Sequence, residues 1–196
     1  MAEHGEQLRA NGYSIIPIAS GSKAPGEWDG TKWRGLRGWT SVRATERDVE
    51  AWGAWPGCGI GVLCGPIDGG AGVIGVDLDV DDPALCADLE NLASKMLGTT
   101  EAIDPARRVG APGRAMLIYR VAPGDDVKGA RVGGRHGVEI IASGRQFVGY
   151  HVHPVTLKPY EWTLDPLHET PLADLPVITQ EELDAFLAEV ARYLNV

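Results

Sequence analysis

Apolar residues in this chain fall into short runs, and turns containing Gly or Pro separate one run from the next. Short runs rich in Val and Ile and bounded by such turns are typical of β-strands. Most of them lie in the middle of the chain. We therefore predict strands over residues 13–19, 58–63, 73–80, 115–121, 137–142 and 146–153.

Four other segments carry the signals of helices. Thr179 and Glu182 have the spacing of a capping box, and the apolar positions after them recur at helical intervals. Thr45 and Asp48 have the same spacing, and Pro83 stands at a first helical position. Strands in the middle with helices beside them indicate an α+β fold, with a mixed, largely antiparallel central sheet flanked by helices. The predicted helices cover residues 3–11, 45–52, 83–97 and 179–194.

The length of 196 residues favours one domain over residues 1–196. No apolar run approaches the roughly 20 residues of a membrane span, and the N-terminus lacks the apolar stretch of a signal peptide. We therefore expect a cytoplasmic protein with no membrane partner. Cys58, Cys64 and Cys86 have no zinc-like spacing, so we expect reduced thiols that serve as small apolar side chains.

Charge is distributed unevenly along the chain. The 18 Lys and Arg against 27 Asp and Glu give a net charge of −9, which argues against tight, nonspecific coating of DNA. Residues 107–145 nevertheless hold eight Lys or Arg and three acids, whereas residues 161–189 hold eight acids and no Lys or Arg. The strand-rich middle is thus locally basic, and a solvated surface is the ordinary alternative explanation of such a segment.

Two aspartates stand near the end of the apolar strand predicted over 73–80. Because side chains alternate along a strand, Asp77 and Asp79 should share one face while Val76 and Leu78 pack into the core. Two carboxylates this close repel each other unless a cation lies between them, and oxygen ligands suit Mg²⁺ or Mn²⁺. The alternative is a strand edge with acids placed for solubility, although such charges are costly without a partner.

A third carboxylate, Glu139, is the only acid in the strand predicted over 137–142. Alone, it is explained by an ion pair or by a surface position. Together with Asp77 and Asp79, it would complete a set of three carboxylates able to hold two metal ions about 4 Å apart.

Two further segments could contact an anion. His151 and His153 should share one face of the strand predicted over 146–153, and no other His or Cys lies at zinc spacing, so phosphate contact is the better functional interpretation. An ordinary pair of surface or partly buried histidines remains the alternative. Arg114 ends a turn rich in Gly and Pro, where a guanidinium and backbone N–H groups could meet a phosphate.

Taken in chain order, these segments resemble the N-terminal primase–polymerase domain of bifunctional DNA primase/polymerase proteins, which belongs to the archaeo-eukaryotic primase superfamily. The resemblance covers about residues 8–162 and leaves an acidic segment with the last helix over 163–196. It implies a primase-like catalytic core. The motifs that carry it are Gly12-Tyr-Ser-Ile-Ile-Pro17, Lys23-Ala-Pro25, Gly59-Ile-Gly-Val62, Ile74-Gly-Val-Asp-Leu-Asp79, Arg108-Val-Gly-Ala-Pro112, Leu117-Ile-Tyr-Arg120, Gly137-Val-Glu-Ile140, Gln146-Phe-Val148, His153-Pro154 and Pro159-Tyr-Glu-Trp162.

The resemblance also implies roles for individual residues. The family's DxD/E motif falls on Asp77 and Asp79 and its later carboxylate motif on Glu139, as catalytic ligands of two Mg²⁺ or Mn²⁺ ions. The sequence departs from the family at Met116, where many members have the His of an S-x-H motif that contacts the incoming nucleotide. The residues then expected to bind the nucleotide are Arg114, Gln146, His153, His151, Arg145 and Lys23.

The implied activity is template-directed transfer of NTPs or dNTPs onto a primer or initiating nucleotide on single-stranded DNA, in replication of a phage, plasmid or mobile element. Basic loops at 23–47 and 107–135 would follow the template backbone. Trp28, Trp33 or Trp39 would stack on a base, or else form a small satellite core. A helicase domain is a further expected partner. Two other functions stay open: a catalytically silent replication-initiator module that binds nucleotide or DNA, and a metal-dependent nucleotide phosphohydrolase.

Overall fold

The computed structural model of the chain describes residues 3–99, 103–134 and 136–196, so Arg135 of the basic segment lies outside the described residues. Its helices are α1 (Gly5–Ala10), α2 (Glu46–Gly53), α3 (Pro83–Met96) and α4 (Gln180–Leu194). Its strands are β1 (Ile15–Ile18), β2 (Gly26–Trp28), β3 (Trp33–Gly35), β4 (Gly59–Leu63), β5 (Gly65–Pro66), β6 (Gly72–Asp79), β7 (Ala106–Val109), β8 (Ala115–Val121), β9 (Ala130–Gly133), β10 (Gly137–Ile141), β11 (Gln146–Tyr150) and β12 (Glu161–Leu164).

The strands form three antiparallel sheets. The large sheet has seven strands in the order β12-β7-β8-β6-β10-β9, and β5 pairs with the start of β6. Strand β6 lies near its centre, between β8 and β10. A smaller sheet has the order β1-β4-β11, and β2 and β3 form a hairpin. The α+β fold with a largely antiparallel central sheet is thereby confirmed.

Both faces of the large sheet are covered. On one face, apolar side chains of β6 such as Leu78 pack against α3 and α4 through Leu89 and Phe186. On the other face, Met116 of β8 packs with Phe147 of the smaller sheet. Val76 and Leu78 are buried, whereas Asp77 and Asp79 are partly exposed. Because side chains alternate along β6, the two aspartates lie on the face that the smaller sheet covers.

The sequence signals for helix starts are confirmed. The Thr179 hydroxyl accepts the backbone N–H of Glu182 at the start of α4, and the Glu182 carboxylate closes the capping box in return. Thr45 and Asp48 form the same arrangement before α2. Each box satisfies backbone N–H groups that have no partner within the first turn of a helix, which explains why these helices begin where they do.

Several strands differ from the prediction. Strand β11 ends at Tyr150 rather than at residue 153, directly after its pairing with β4 shifts register between Val148 and Tyr150. The short strands β2, β3, β5, β7, β9 and β12 are additional to the six predicted. Their few residues carry too little periodicity to be recognised from the sequence.

None of the described helices is long and apolar enough to cross a membrane. The three cysteines are free, and Cys64 and Cys86 are buried in apolar clusters. The use of a thiol as a small apolar group is thus confirmed for Cys64, whereas the Cys86 thiol also donates a hydrogen bond to the Glu90 carboxylate at 3.6 Å.

Candidate active site

The central feature of the site is a group of three carboxylates on one face of the large sheet. Glu139 of β10 lies directly opposite Asp77 of β6 in the antiparallel register, and Asp79 is two residues further along β6. Residues that face each other in a register point to the same side of the sheet. Met116 of β8 flanks Asp77 on its other side.

Arginines neutralise two of these carboxylates. Arg114 Nη1 lies 2.5 Å from Asp79 Oδ1, and Arg145 Nη2 lies 2.8 Å from Glu139 Oε1. Arg131 bridges the pair, with Nη1 2.9 Å from Glu139 Oε2 and Nη2 3.7 Å from Asp79 Oδ2. The basic segment of the sequence therefore supplies the counter-charges of the carboxylate group.

Asp77 is in a different electrostatic situation. Its pKa is raised to about 6, chiefly because a carboxylate loses hydration on burial, and the negative charges of Asp79 and Glu139 act in the same direction. The positive charges of Arg108 and Lys23 act in the opposite direction. The site thus holds a partly buried carboxyl group whose ionised form is disfavoured and would be stabilised by a nearby cation.

A small cavity of about 60 Å³ adjoins Asp77 and Asp79. Gly110 forms part of its wall, and the position has no room for a side chain. A Cβ there would lie 2.5 Å from Cε1 of Tyr160 and 3.2 Å from Cδ2 of His153. Three cationic side chains line the same cavity, so it combines negative and positive charge in a volume suited to a phosphate group. The lining side chains with polar groups are Lys23, Asp77, Asp79, Arg108, Arg114, His153 and Tyr160.

Arg108 is a site residue that the sequence did not single out for a role. Its side chain is 6% exposed, its guanidinium carbon lies 4.3 Å from the centroid of the Tyr160 ring, and Nη2 lies 3.4 Å from Met116 Sδ. A second nitrogen donates to the carbonyl of Val148, and Nε has no hydrogen-bond partner among the described residues. Arg108 lines the phosphate-sized cavity, so its guanidinium adds positive charge there.

His153 lies in this cavity, as the phosphate hypothesis requires. Its Nδ1 accepts the backbone N–H groups of Val155 (3.3 Å) and Thr156 (3.2 Å), which makes Nε2 the protonated nitrogen of the neutral ring. Burial lowers its pKa, and the charges of Lys23 and Arg108 lower it further. His153 therefore acts as a neutral hydrogen-bond donor near pH 7.

Lys23 and Gln146 belong to the same region in different ways. The Lys23 side chain lines the cavity, and its pKa is lowered by burial. The Gln146 amide donates to the backbone carbonyl of Lys23 over 2.9 Å. Gln146 thus holds the loop that carries Lys23 and does not line the cavity itself.

The structure does not bring His151 to the carboxylates. It lies in a separate, larger cleft of about 720 Å³, together with Tyr150 and Trp162. Its Nε2 is 3.2 Å from the carbonyl oxygen of Ala19, and burial lowers its pKa. The alternation argument that placed the two histidines together fails because β11 ends before either of them.

Two tryptophans of the Gly-rich loop, Trp28 and Trp33, belong to a cluster of aromatic rings. Trp28 and Trp33 face each other across the β2–β3 hairpin with ring centroids 5.9 Å apart, and Trp33 meets Trp55 at 5.7 Å. Trp55 in turn contacts Trp52 of α2. This arrangement matches the satellite core that the sequence left as the alternative to base stacking.

Comparison with known families decides the relationship. The family model described as the N-terminal domain of bifunctional DNA primase/polymerase matches residues 6–178, which include all three carboxylates and every residue that lines the cavity. The chain belongs to the Prim-Pol family. This confirms the resemblance, and it identifies a DNA primase/polymerase domain, whose substrates are DNA and nucleotides. Comparison with curated proteins finds no match.

Prim-Pol domains generally use divalent metal ions. The donor chemistry here fits such ions, since three carboxylates share one face and the pKa of Asp77 is raised despite the nearby cations Arg108 and Lys23. Within the described ranges no three His, Cys, Asp or Glu side chains are gathered closely enough to form a metal cluster. Arg114, Arg131 and Arg145 form ion pairs with Asp79 and Glu139 instead.

Proposed function

We propose that this Prim-Pol domain catalyses template-directed transfer of a nucleotide to a primer or initiating nucleotide on single-stranded DNA, by a two-metal reaction. The observation that carries the proposal is the placement of Asp77, Asp79 and Glu139 on one face of the central sheet, beside a cationic cavity of phosphate size. Nucleotidyl transfer needs these two features side by side: carboxylates for the metal ions and cations for the phosphates.

Asp77, Asp79 and Glu139 are the residues that would hold two Mg²⁺ or Mn²⁺ ions. When bound, these ions would lower the pKa of the attacking 3′-hydroxyl and would neutralise charge on the α-phosphate and the departing pyrophosphate. Asp77, whose pKa burial raises to about 6, is ionised at pH 8 and available as a ligand.

The arginines then have a second role. Arg114 and Arg131 compensate the carboxylates in the structure, and a guanidinium released from a carboxylate can bind phosphate oxygens with the same planar geometry. Arg114 already lines the cavity. We propose that it contacts the triphosphate together with Lys23, His153 and the buried Arg108.

Arg145 and Gln146 act less directly in this proposal. Arg145 is mostly exposed and pairs with Glu139 at the outer side of the carboxylate group, where it can meet the template backbone. Gln146 positions the Lys23 loop through its backbone hydrogen bond. His151 lies outside the triphosphate site.

We further propose that the acidic C-terminal segment belongs to the same domain as the motif-bearing core. Helix α4 supports this because Phe186 and Val190 are buried in the core that β6 and α3 share. Replication of a phage, plasmid or other mobile element is the setting that this activity fits best.

The proposal is tested by incorporation of a labelled dNTP with Mg²⁺ or Mn²⁺, in the presence and absence of a primed single-stranded template. Incorporation that requires both template and metal supports polymerase activity. Binding of DNA and nucleotide without incorporation would identify a silent replication-initiator module, and release of phosphate without template would identify a phosphohydrolase. Either of the last two results contradicts the proposal.

A further inference from the structure

We propose that the 720 Å³ cleft next to the catalytic cavity binds an unpaired base of the single-stranded DNA template. The inference deepens the proposed polymerase function and rests on it. The cleft lies on the other side of Tyr160, which lines both the cleft and the catalytic cavity. Its volume falls within the range of clefts that hold small organic ligands.

A platform of aromatic rings forms one wall of the cleft. The Tyr150 ring lies 4.6 Å from that of His4 and 5.7 Å from that of Trp162, between centroids and at tilted angles. Hydrogen bonds fix the platform: the Tyr150 hydroxyl pairs with His168 Nδ1 at 2.8 Å, and Trp162 Nε1 donates to the Gly149 carbonyl at 3.2 Å. Rigid aromatic faces of this kind stack on bases of any sequence.

The cleft is nearly uncharged, in contrast to the catalytic cavity. No Lys or Arg lines it among the residues that the structure describes. Burial lowers the pKa values of His4 and His151, so both rings are neutral at pH 7, and burial raises the pKa of the Cys58 thiol to about 11. Glu3 is the one acid in the lining among the described residues. The cleft therefore suits the neutral, planar part of a nucleic acid and not its phosphates.

The template base is a better occupant than the base of the incoming nucleotide. The triphosphate is assigned to the charged cavity, and the incoming base has to remain accessible for pairing with the template. A base bound on the other side of Tyr160 from that cavity would belong to a DNA strand that runs past the reaction centre, as the template does.

Photocross-linking tests this placement directly. A short oligothymidine carrying one 5-iododeoxyuridine is irradiated with the full chain, and the attached peptide is identified by mass spectrometry. We expect the cross-link on Tyr150 or Trp162. Cross-links found only elsewhere, for example on Trp33, or no cross-link in the cleft at all, would overturn the proposal.

A pair of matched variants gives an independent measurement. Val152 lines the cleft and is 44% exposed, whereas Val155 is 81% exposed and does not line it. Val152→Glu adds a negative charge beside the platform, and we expect it to weaken binding of the oligothymidine about tenfold in fluorescence anisotropy, with Val155→Glu close to wild type. Equal affinities of the two variants would contradict the proposal.

A wrong cleft assignment and a wrong polymerase function give different experimental results. If the cleft is not the template site, no cross-link forms on Tyr150 or Trp162 and the two variants bind the oligothymidine equally well, while the wild type still extends a primer. If the polymerase function is wrong, no extension occurs, although the oligothymidine can still cross-link to Tyr150 or Trp162. Circular dichroism of Val152→Glu and Val155→Glu confirms that both fold, and the cross-linking experiment uses the wild-type protein alone.

Discussion

Replacing Asp77 by Asn should make the metal-free protein more stable while abolishing its activity. Burial raises the pKa of Asp77 from 3.8 to about 6, so the folded state penalises the ionised carboxylate relative to the unfolded chain. This penalty is absent below the unfolded pKa of about 4, grows as pH rises, and is complete above the folded pKa of about 6. A shift of roughly two pKa units corresponds to about 3 kcal/mol.

The free energy of unfolding of both proteins is measured by urea denaturation in EDTA at pH 8 and pH 4. We expect Asp77→Asn to exceed wild type by up to about 3 kcal/mol at pH 8 and by less than about 1 kcal/mol at pH 4, because asparagine carries no charge to desolvate. The matched control is Asp79→Asn. Asp79 is 26% exposed and paired with Arg114 and Arg131, so we expect its loss to cost up to about 1 kcal/mol at pH 8.

The reasoning is refuted if Asp77→Asn destabilises the protein at pH 8, or if its effect is the same at both pH values. Either result would mean that the carboxylate is well solvated or well paired. Added Mg²⁺ provides a further readout. It should stabilise the wild type more than Asp77→Asn, since a ligand that binds only the folded state raises its stability.

Three further variants probe the cavity and the fold. Gly110→Ala should lower kcat/KM for the nucleotide at least about tenfold in steady-state extension, because its Cβ would lie 2.5 Å from the Tyr160 ring; unchanged kinetics would contradict the cavity assignment. Thr179→Ala removes the acceptor for the Glu182 N–H and should lower the free energy of unfolding by about 1 kcal/mol in urea denaturation. A denaturation midpoint equal to that of the wild type would contradict the role of this cap. Leu78→Ala, at a fully buried position, should cost about 2–5 kcal/mol in the same assay, and a loss below about 1 kcal/mol would contradict its core position.

Local patterns in the sequence were sufficient for the elements that carry the carboxylates. Strand β6 was predicted over 73–80 and spans Gly72–Asp79, and its alternation places Val76 and Leu78 in the core and both aspartates on the opposite face. Strand β10 was predicted with similar accuracy. These elements are long and regular, so the period-2 pattern determines which side chains share a face.

The rest of the site depends on contacts that no local pattern encodes. Arg108 lies on the four-residue strand β7, and its partner Tyr160 lies in a different part of the chain, so their stacking becomes visible only in the folded structure. His151 and His153 separate because β11 ends at Tyr150, after a shift of register, and alternation holds only within a regular strand. The ion pairs of Arg131 likewise follow from the pairing of β9 with β10.

The most direct test of the central claim is metal-dependent extension of a primed single-stranded template by wild type, Asp79→Ala and Asp88→Ala. Asp79 belongs to the carboxylate group, whereas Asp88 is an exposed carboxylate on α3 and controls for the loss of one negative charge. We predict that wild type and Asp88→Ala extend the primer with Mg²⁺ or Mn²⁺ and that Asp79→Ala loses at least about a thousandfold in rate. Extension by Asp79→Ala at the wild-type rate would contradict the assignment of the active site.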